Sequence, residues 1–333
     1  MAYQVALIPG DGIGPEVTAA ARRIVDATGV AIEWKTVQAG QIALDELGEP
    51  LPATTLDAIR NSAATLKGPT ATPSGSGFRS VNVELRQKLQ LFANYRPARS
   101  MPGVPSRYEN VDLIVVRENT EGLYSGLEHE VVPGVVESLR IVTEPASERI
   151  ARFAFETARR QGRRRVTCVH KANILKLSDG LFLRTCRRVA ASFPDIECDD
   201  CIVDAAAMKL VLNPHAFDVL VMENLFGDIL SDLTSGLVGG LGLTPSANIG
   251  DGVAVFEAVH GSAPDIAGKG LANPTALILS AVLMLRYLGE QAAADRIESA
   301  VKNVYATGQT LTGDLGGKAT TGQFVDAVLA AIE

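Results

Sequence analysis

A chain of 333 residues with 47 % apolar and 21 % charged residues is long enough for two ordinary lobes and a sizeable core, which excludes a disordered or low-complexity chain. A net charge of −7 without a long basic block argues against a nucleic-acid partner; Arg163-Arg164-Arg165 reads as a solvated turn. The longest apolar stretch, Leu277 to Leu285, is broken by Ser280 and too short to cross a bilayer, so no membrane partner is expected.

In chain order, strand and helix signals alternate. Met1 leads within three residues into a strand-like run at Gln4–Ile8, with no basic or Arg-rich leader before it, so a cytoplasmic setting is expected. Pro9-Gly10-Asp11-Gly12-Ile13-Gly14 then feeds a helix opening with Pro15-Glu16, residues that suit a first turn, and stopping at Gly29. Further strands are expected at Ala31–Val37, Ala64–Leu66, Leu91–Tyr95 and Val111–Val116, with a helix over Thr54–Ile59. Residues 123–142 break the alternation. The alternating run Val131–Val136 and a second strand at Ser138–Val142, with Pro133-Gly134 as turn, read as an antiparallel hairpin, an element suited to exchange between subunits. After it come a helix (Glu144–Arg160), a strand (Arg165–Val169), a helix (Gly180–Phe193) and strands at Ile196–Val203 and Phe217–Met222. The last third reads as mostly helical, at Asn273–Leu288, Ala292–Tyr305 and Gly322–Ile332. Alternating β and α elements give an α/β fold with a largely parallel sheet.

Two motifs are weaker than they look. Gly10-x-Gly12-x-Gly14 lacks the G-x-G-x-x-G spacing of a dinucleotide fingerprint, so a tight turn explains it as well as a Rossmann site does. Cys198 and Cys201 form a lone C-x-x-C around Asp199 and Asp200, acids that oppose the thiolate a metal or redox site needs. With Cys168 and Cys186 they read as reduced thiols.

Three other features point to chemistry. Asp228 and Asp232 in Asn224-Leu225-Phe226-Gly227-Asp228-Ile229-Leu230-Ser231-Asp232 stand at i and i+4 on one helix face. Two carboxylates so close call for a cation, and all-oxygen donors favour Mg²⁺ or Mn²⁺. Ser80-x-Asn82-x-x-x-Arg86 opens a helix, where free N–H groups suit an anion. Arg96 and Arg117 are expected at strand ends, where α/β proteins gather ligands. Three arginines match a polycarboxylate through paired hydrogen bonds.

Together with Leu7 to Glu16, Arg117-Glu118-Asn119-Thr120-Glu121-Gly122, Val169-His170-Lys171-Ala172-Asn173-Ile174 and His260-Gly261-Ser262-Ala263-Pro264-Asp265-Ile266-Ala267-Gly268, these segments resemble the isocitrate/isopropylmalate dehydrogenase family over essentially the whole chain, in particular its NAD-dependent members acting on isocitrate. The resemblance implies that family's fold: two lobes around a large, mostly parallel sheet, not a Rossmann fold, with a small clasp hairpin. It implies a large cofactor-binding domain at 1–99 and 252–333 and a small domain at 100–251, which carries the dimer interface and the 123–142 clasp. Substrate binding falls to Ser80, Asn82, Arg86, Arg96 and Arg117, catalysis to Tyr124 and Lys171, and the metal to Asp204, Asp228 and Asp232. Lys171 and Asp204 would come from the neighbouring subunit of a homodimer. NAD would meet Thr72, His260, Gly261, Asp265, Ile266, Asn273 and Asp314.

The implied activity is oxidation of isocitrate and its decarboxylation to 2-oxoglutarate with NAD and Mg²⁺ or Mn²⁺. Lys171 would help take the hydroxyl proton, and Tyr124 would protonate the enol carbon. NADP-using relatives carry Lys and Tyr where this chain has Asp265 and Ile266; an aspartate repels a 2′-phosphate and accepts from ribose hydroxyls. Gly313 and Gly317 flank Asp314 and add no phosphate ligand. Homoisocitrate and 3-isopropylmalate dehydrogenases share most motifs, but isopropylmalate enzymes are apolar where Ser80 and Asn82 stand. A non-catalytic regulatory subunit would lack part of the catalytic or metal set, which is complete here.

Overall fold

The computed structural model describes residues 2–72 and 80–332. The chain opens with β1 (Tyr3–Ile8), α1 (Gly14–Asp26) and β2 (Ile32–Thr36), β2 lying parallel to β1. Two short helices, α2 (Gln41–Leu47) and α3 (Ala53–Arg60), bring it back to β3 (Ala64–Lys67) on the other side of β1. Then follow α4 (Val81–Lys88), β4 (Ala93–Arg99) and β5 (Asp112–Glu118). A two-stranded ribbon of β6 (Gly122–Val132) and β7 (Val135–Ile141) stands apart from the main sheet. The middle of the chain supplies α5 (Glu144–Arg160), β8 (Arg165–His170), α6 (Ser178–Ala190), β9 (Glu197–Ile202), α7 (Val203–Leu212), β10 (Val219–Met222) and α8 (Asn224–Leu237). An antiparallel pair, β11 (Pro245–Ile249) and β12 (Ala254–Ala258), precedes α9 (Thr275–Tyr287), α10 (Gln291–Thr307) and α11 (Thr321–Ile332).

Ten strands form one sheet in the order β2-β1-β3-β12-β11-β4-β5-β10-β8-β9. Pairing is parallel in both wings and antiparallel at three central junctions, β12–β11, β11–β4 and β4–β5. The expected largely parallel sheet is therefore interrupted at its middle. Because successive residues of a strand face opposite sides, those junctions sort side chains cleanly. Leu66, Phe256, Ala247, Tyr95 and Val116 lie opposite one another on five neighbouring strands and enter the main core. One residue along, Lys67, Glu257 and Ser246 form a row, and Asn248, Asn94 and Arg117 another, on the opposite face. The apolar face anchors the sheet and the polar face floors a cleft.

The apolar face is covered by α5 and α9. Thr143 caps α5, its Oγ1 accepting from Ala146 N at 3.3 Å, and Pro145 sits in the first turn. Ile150, Ala151, Ala154, Phe155 and Ala158 then share its buried stripe, each large side chain contributing about 1.5–3 kcal/mol. Helix α9 is buried almost all round, as a helix enclosed by sheet and neighbouring helices must be. Among the described residues no helix is long and apolar enough to cross a membrane.

Several elements differ from expectation. Strands β11 and β12 lie in a region read as mostly helical, because Pro245–Ile249 and Ala254–Ala258 are short and central and carry polar residues toward the cleft. Helix α7 begins at Val203, where a strand was expected to end, and α2 was not anticipated. Arg96 is not at a strand end: β4 runs on to Arg99, paired throughout with β5. Pro97 is tolerated there because β11 pairs only with Ala93–Tyr95, leaving the far half of β4 open on that side.

Candidate active site

The glycine loop after β1 is a structural hinge. Gly10 and Gly12 have φ of +76° and +61°, and a Cβ on them would strike the carbonyls of Pro69 and Ser262. Between them, Asp11 accepts from Gln41 N at 3.0 Å, Ile42 N at 3.1 Å and Ala71 N at 2.7 Å. Its carboxylate therefore caps α2 and pins the segment that leads to Thr72. The C-x-x-C is equally inert. Cys198 and Cys201, three apart on β9, face opposite sides of the strand and enter different clusters. Burial, Cys186 and the neighbouring Asp199 and Asp200 push the Cys198 thiol up to about 11. All four cysteines are free.

A cavity of about 210 Å³ lies over the polar face of the sheet, lined by Ser80, Asn82, Arg86, Arg96, Arg117, Tyr124 and Asp228 among others. Ser80 is the N-cap residue of α4 and makes no capping bond with its own side chain. Asn82 follows in the first turn and accepts from Thr70 Oγ1 at 3.0 Å. Arg86, Arg96 and Arg117 come from α4, β4 and β5 and are all buried.

Their packing is specific. Arg117 donates to Asn224 Oδ1 from Nε (3.0 Å) and Nη2 (2.7 Å), pairs with Asp228, and stacks 5.0 Å from the Tyr124 ring centre. Gly227 makes room for it, since a Cβ there would overlap the Arg117 side chain. Arg96 meets Ser231 Oγ and, at 3.3 Å, Asp232. Burial and the charges of Arg117 and Arg86 lower Arg96 to about 10, so three cations are crowded in one buried basin. The Nε atoms of Arg86 and Arg96 are buried without a partner. Such orphaned donors are costly and call for an anionic ligand.

Tyr124 donates its hydroxyl to Asp228, and burial followed by that bond raises its pKa, keeping it a proton donor. Burial works against the charge of Asp228, but Arg117, the Tyr124 bond, Arg96 and Arg86 together hold its carboxyl low. Asp232, one turn on along α8, goes the other way: burial and Asp228 outweigh Arg96 and raise it. The donors are hard oxygens, which fits Mg²⁺ or Mn²⁺, but one chain brings only these two together. Asp204 stands at the start of α7 beside Lys171, which follows β8. The two pair with each other on an exposed surface, Asp204 being 68 % exposed, and neither lines the cavity. No group of three or more potential metal-ligating side chains occurs among the described residues.

Next to this cavity and sharing His260 and Gly261 with it lies a second, of about 720 Å³, lined by Ile13, Ile266, Asn273, Asp314 and Gly317 among others. Asn273 donates to Asp314 at 3.0 Å. Burial, working against a bond to the Gly261 carbonyl and the charge of Asp314, lowers the His260 imidazole below its usual range, and its Nε2 is buried without a partner. Asp265 sits exposed on the short turn Pro264–Ile266, whose Ile266 lines the second cavity, and Thr72 donates to Ser80 Oγ at 3.3 Å. Sequence reasoning did not single out Lys67, Asn224, Ser231, Asn248 or Glu257. Lys67 closes the short strand β3 and Glu257 stands inside β12, and no local spacing links the two.

The fold and this site place the chain in one class. It belongs to the family described as isocitrate/isopropylmalate dehydrogenase, whose model matches residues 4–328. It is 55 % identical over 97 % of its length, and 86 % of the relative's, to isocitrate dehydrogenase [NAD] catalytic subunit 5, mitochondrial, of Arabidopsis thaliana. The chloroplastic 3-isopropylmalate dehydrogenase of Solanum tuberosum is 54 % identical over 92 % of this chain and 86 % of its own. Among solved structures, isocitrate dehydrogenase from Methylococcus capsulatus superposes with a TM-score of 0.97 at 53 % identity, covering 99 % of both chains.

Proposed function

We propose that this chain oxidises isocitrate with NAD and decarboxylates the product to 2-oxoglutarate and CO₂, as one subunit of a homodimer with shared active sites. The observation that carries the reading is the basin of three buried arginines beside Ser80 and Asn82, two of them with orphaned Nε atoms. That basin suits a ligand with several carboxylates, and its polar Ser80–Asn82 side suits a third carboxylate better than an isopropyl group. Identity alone does not separate the substrates, since relatives named for isocitrate and for isopropylmalate are almost equally similar.

In this reading Arg86, Arg96 and Arg117 orient the substrate carboxylates. Lys171 of the partner subunit takes the hydroxyl proton, and Tyr124 returns a proton to the carbon that loses CO₂. A bound dication would supply Lewis acidity at the substrate's hydroxyl oxygen, and bound NAD would supply the hydride acceptor. Asp228 and Asp232 would hold that dication with Asp204 of the partner subunit. His260, Gly261, Ile266, Asn273 and Asp314 would hold the adenosine half of NAD, with Asp265 favouring ribose hydroxyls over a 2′-phosphate and Thr72 near the nicotinamide. The two-lobe division, 1–99 and 252–333 against 100–251, is part of the same proposal.

The homodimer is supported by uncovered apolar surface. Leu127, Val131, Val132, Val135, Val136 and Leu139 are exposed on the β6–β7 ribbon, and an isolated two-stranded ribbon is marginal in water. Met208, Leu212 and Ile229 on α7 and α8 are exposed as well. Four free cysteines fit a reducing compartment such as the cytoplasm.

The test is steady-state kinetics of the purified chain with isocitrate, homoisocitrate and 3-isopropylmalate, using NAD or NADP with Mg²⁺ or Mn²⁺. Highest kcat/KM with isocitrate and NAD is expected. Preference for either other acid overturns the substrate, and no turnover of any would mark a regulatory subunit.

A further inference from the structure

The arginine basin rests on a buried hydrogen-bond row that crosses the antiparallel middle of the sheet. Glu257 on β12 sits between Lys67 Nζ at 2.8 Å and Arg86 Nη2 at 3.2 Å. It also accepts at Oε1 from Asn248 Nδ2 at 2.8 Å. Asn248 on β11 accepts at its own Oδ1 from Asn94 Nδ2 (2.9 Å) and Asn119 Nδ2 (3.0 Å). Lys67, Asn94, Asn119 and Asn248 are all buried, as are Glu257 and Arg86.

Only one orientation of the Asn248 carboxamide satisfies these neighbours. On one side stand two acceptors, the Glu257 carboxylate and the Val255 carbonyl, and on the other two amide donors. A flip would set oxygen against carboxylate and N–H against N–H. Donation therefore runs from Asn94 and Asn119 through Asn248 to Glu257, where it meets the bonds that Arg86 and Lys67 donate from the other side. We infer that Asn248 is a positioning residue for substrate binding: by fixing Glu257 it holds Arg86 at the angle the substrate carboxylate needs. This rests on the functional reading above, and it adds a residue that lines neither cavity. Glu257 without its amide partner is free to turn toward Lys67 and release Arg86 from the basin wall. In a buried network such a loss is felt along the row.

Asn248→Asp tests it. At neutral pH the introduced carboxylate faces Glu257, with Lys67 and Arg86 the charged groups around the pair, and cannot donate to it. KM for isocitrate is expected to rise about tenfold, with a smaller change in kcat. Lowering the pH restores a proton that donates to Glu257 as the amide did, so the KM ratio of variant to wild type falls back toward one. A merely structural role would raise KM equally at every pH. Should that variant not fold, Asn119→Ala removes one of the two donors to Asn248 and is expected to raise KM about two- to threefold, less than additively with Arg86→Lys. An unmoved KM, a pH-independent ratio in Asn248→Asp or full additivity in the Asn119–Arg86 cycle overturns the inference while leaving the enzyme's activity intact. A wild-type chain inactive on isocitrate would instead sink the functional reading and this inference with it.

Discussion

The arginine basin and the Lys171–Asp204 pair carry the same chemistry on paper and are built in opposite ways. In the basin every arginine is tied to another element: Arg117 to Asn224 and Asp228 of α8 and to the Tyr124 ring of β6, Arg86 to Glu257 of β12, Arg96 to Ser231 and Asp232 of α8. The Lys171–Asp204 pair has little beyond itself, on open surface. Exposed ion pairs stabilise little, so folding does not explain why these two are where they are. What can be preorganised inside one chain is buried there. Lys171 and Asp204 stay outside, and Lys171 still has its backbone fixed, its N–H donating to the Asp179 carboxylate.

The sharpest way to break this contrast is Lys171→Met. If Lys171 serves only chemistry, kcat should drop by about 10²–10⁴-fold, while the melting temperature stays close to wild type. A large loss of stability would instead make the pair structural. On the buried side, Gly227→Ala should do both kinds of damage. The new methyl group presses on the Arg117 stem near its backbone, so calorimetry should register a loss of about 1–3 kcal/mol and kinetics a higher KM for isocitrate. A Gly227→Ala protein with normal KM would show that Arg117 does not orient substrate. The smallest expected effect lies beside the exposed pair, on β9. Cys198→Ser should leave activity and metal content unchanged, and wild-type Cys198 should label slowly with a thiol reagent at neutral pH, because its thiol sits at about 11. Rapid labelling, or metal loss in the variant, would return the C-x-x-C to consideration.

The same contrast explains what the sequence made legible. Local spacing gave the basin's arginines, the i, i+4 aspartates of α8 and the hairpin, because each is read within one element. The G-x-G-x-G spacing leaves a tight turn and a Rossmann site both open, and the structure shows a turn and what it is for: Asp11 tying α2 to the segment before Thr72. The supports of the basin were hidden. Lys67 and Glu257 are 190 residues apart and meet because β3 and β12 are neighbours. Strands β11 and β12, five residues each, are too short for an alternation to declare itself against a helical background. Arg96 was expected at a strand end because the strand signal runs over Leu91–Tyr95, and only pairing with β5 alone beyond Tyr95 makes the continuation possible. Asp204 was assigned to the metal by resemblance only. Nothing in one chain's geometry brings it to Asp228.

That assignment is therefore where the account stands or falls. Lys171→Met and Asp228→Asn chains, each inactive alone, can be mixed, unfolded and refolded together. If Lys171 serves the partner's site, each mixed dimer has one site with both defects and one intact, and statistical pairing in a twofold dimer restores about a quarter of wild-type activity. Mixtures that stay as inactive as either parent, with mixed dimers shown to have formed, would place Lys171 in its own chain's site and contradict the shared-site account.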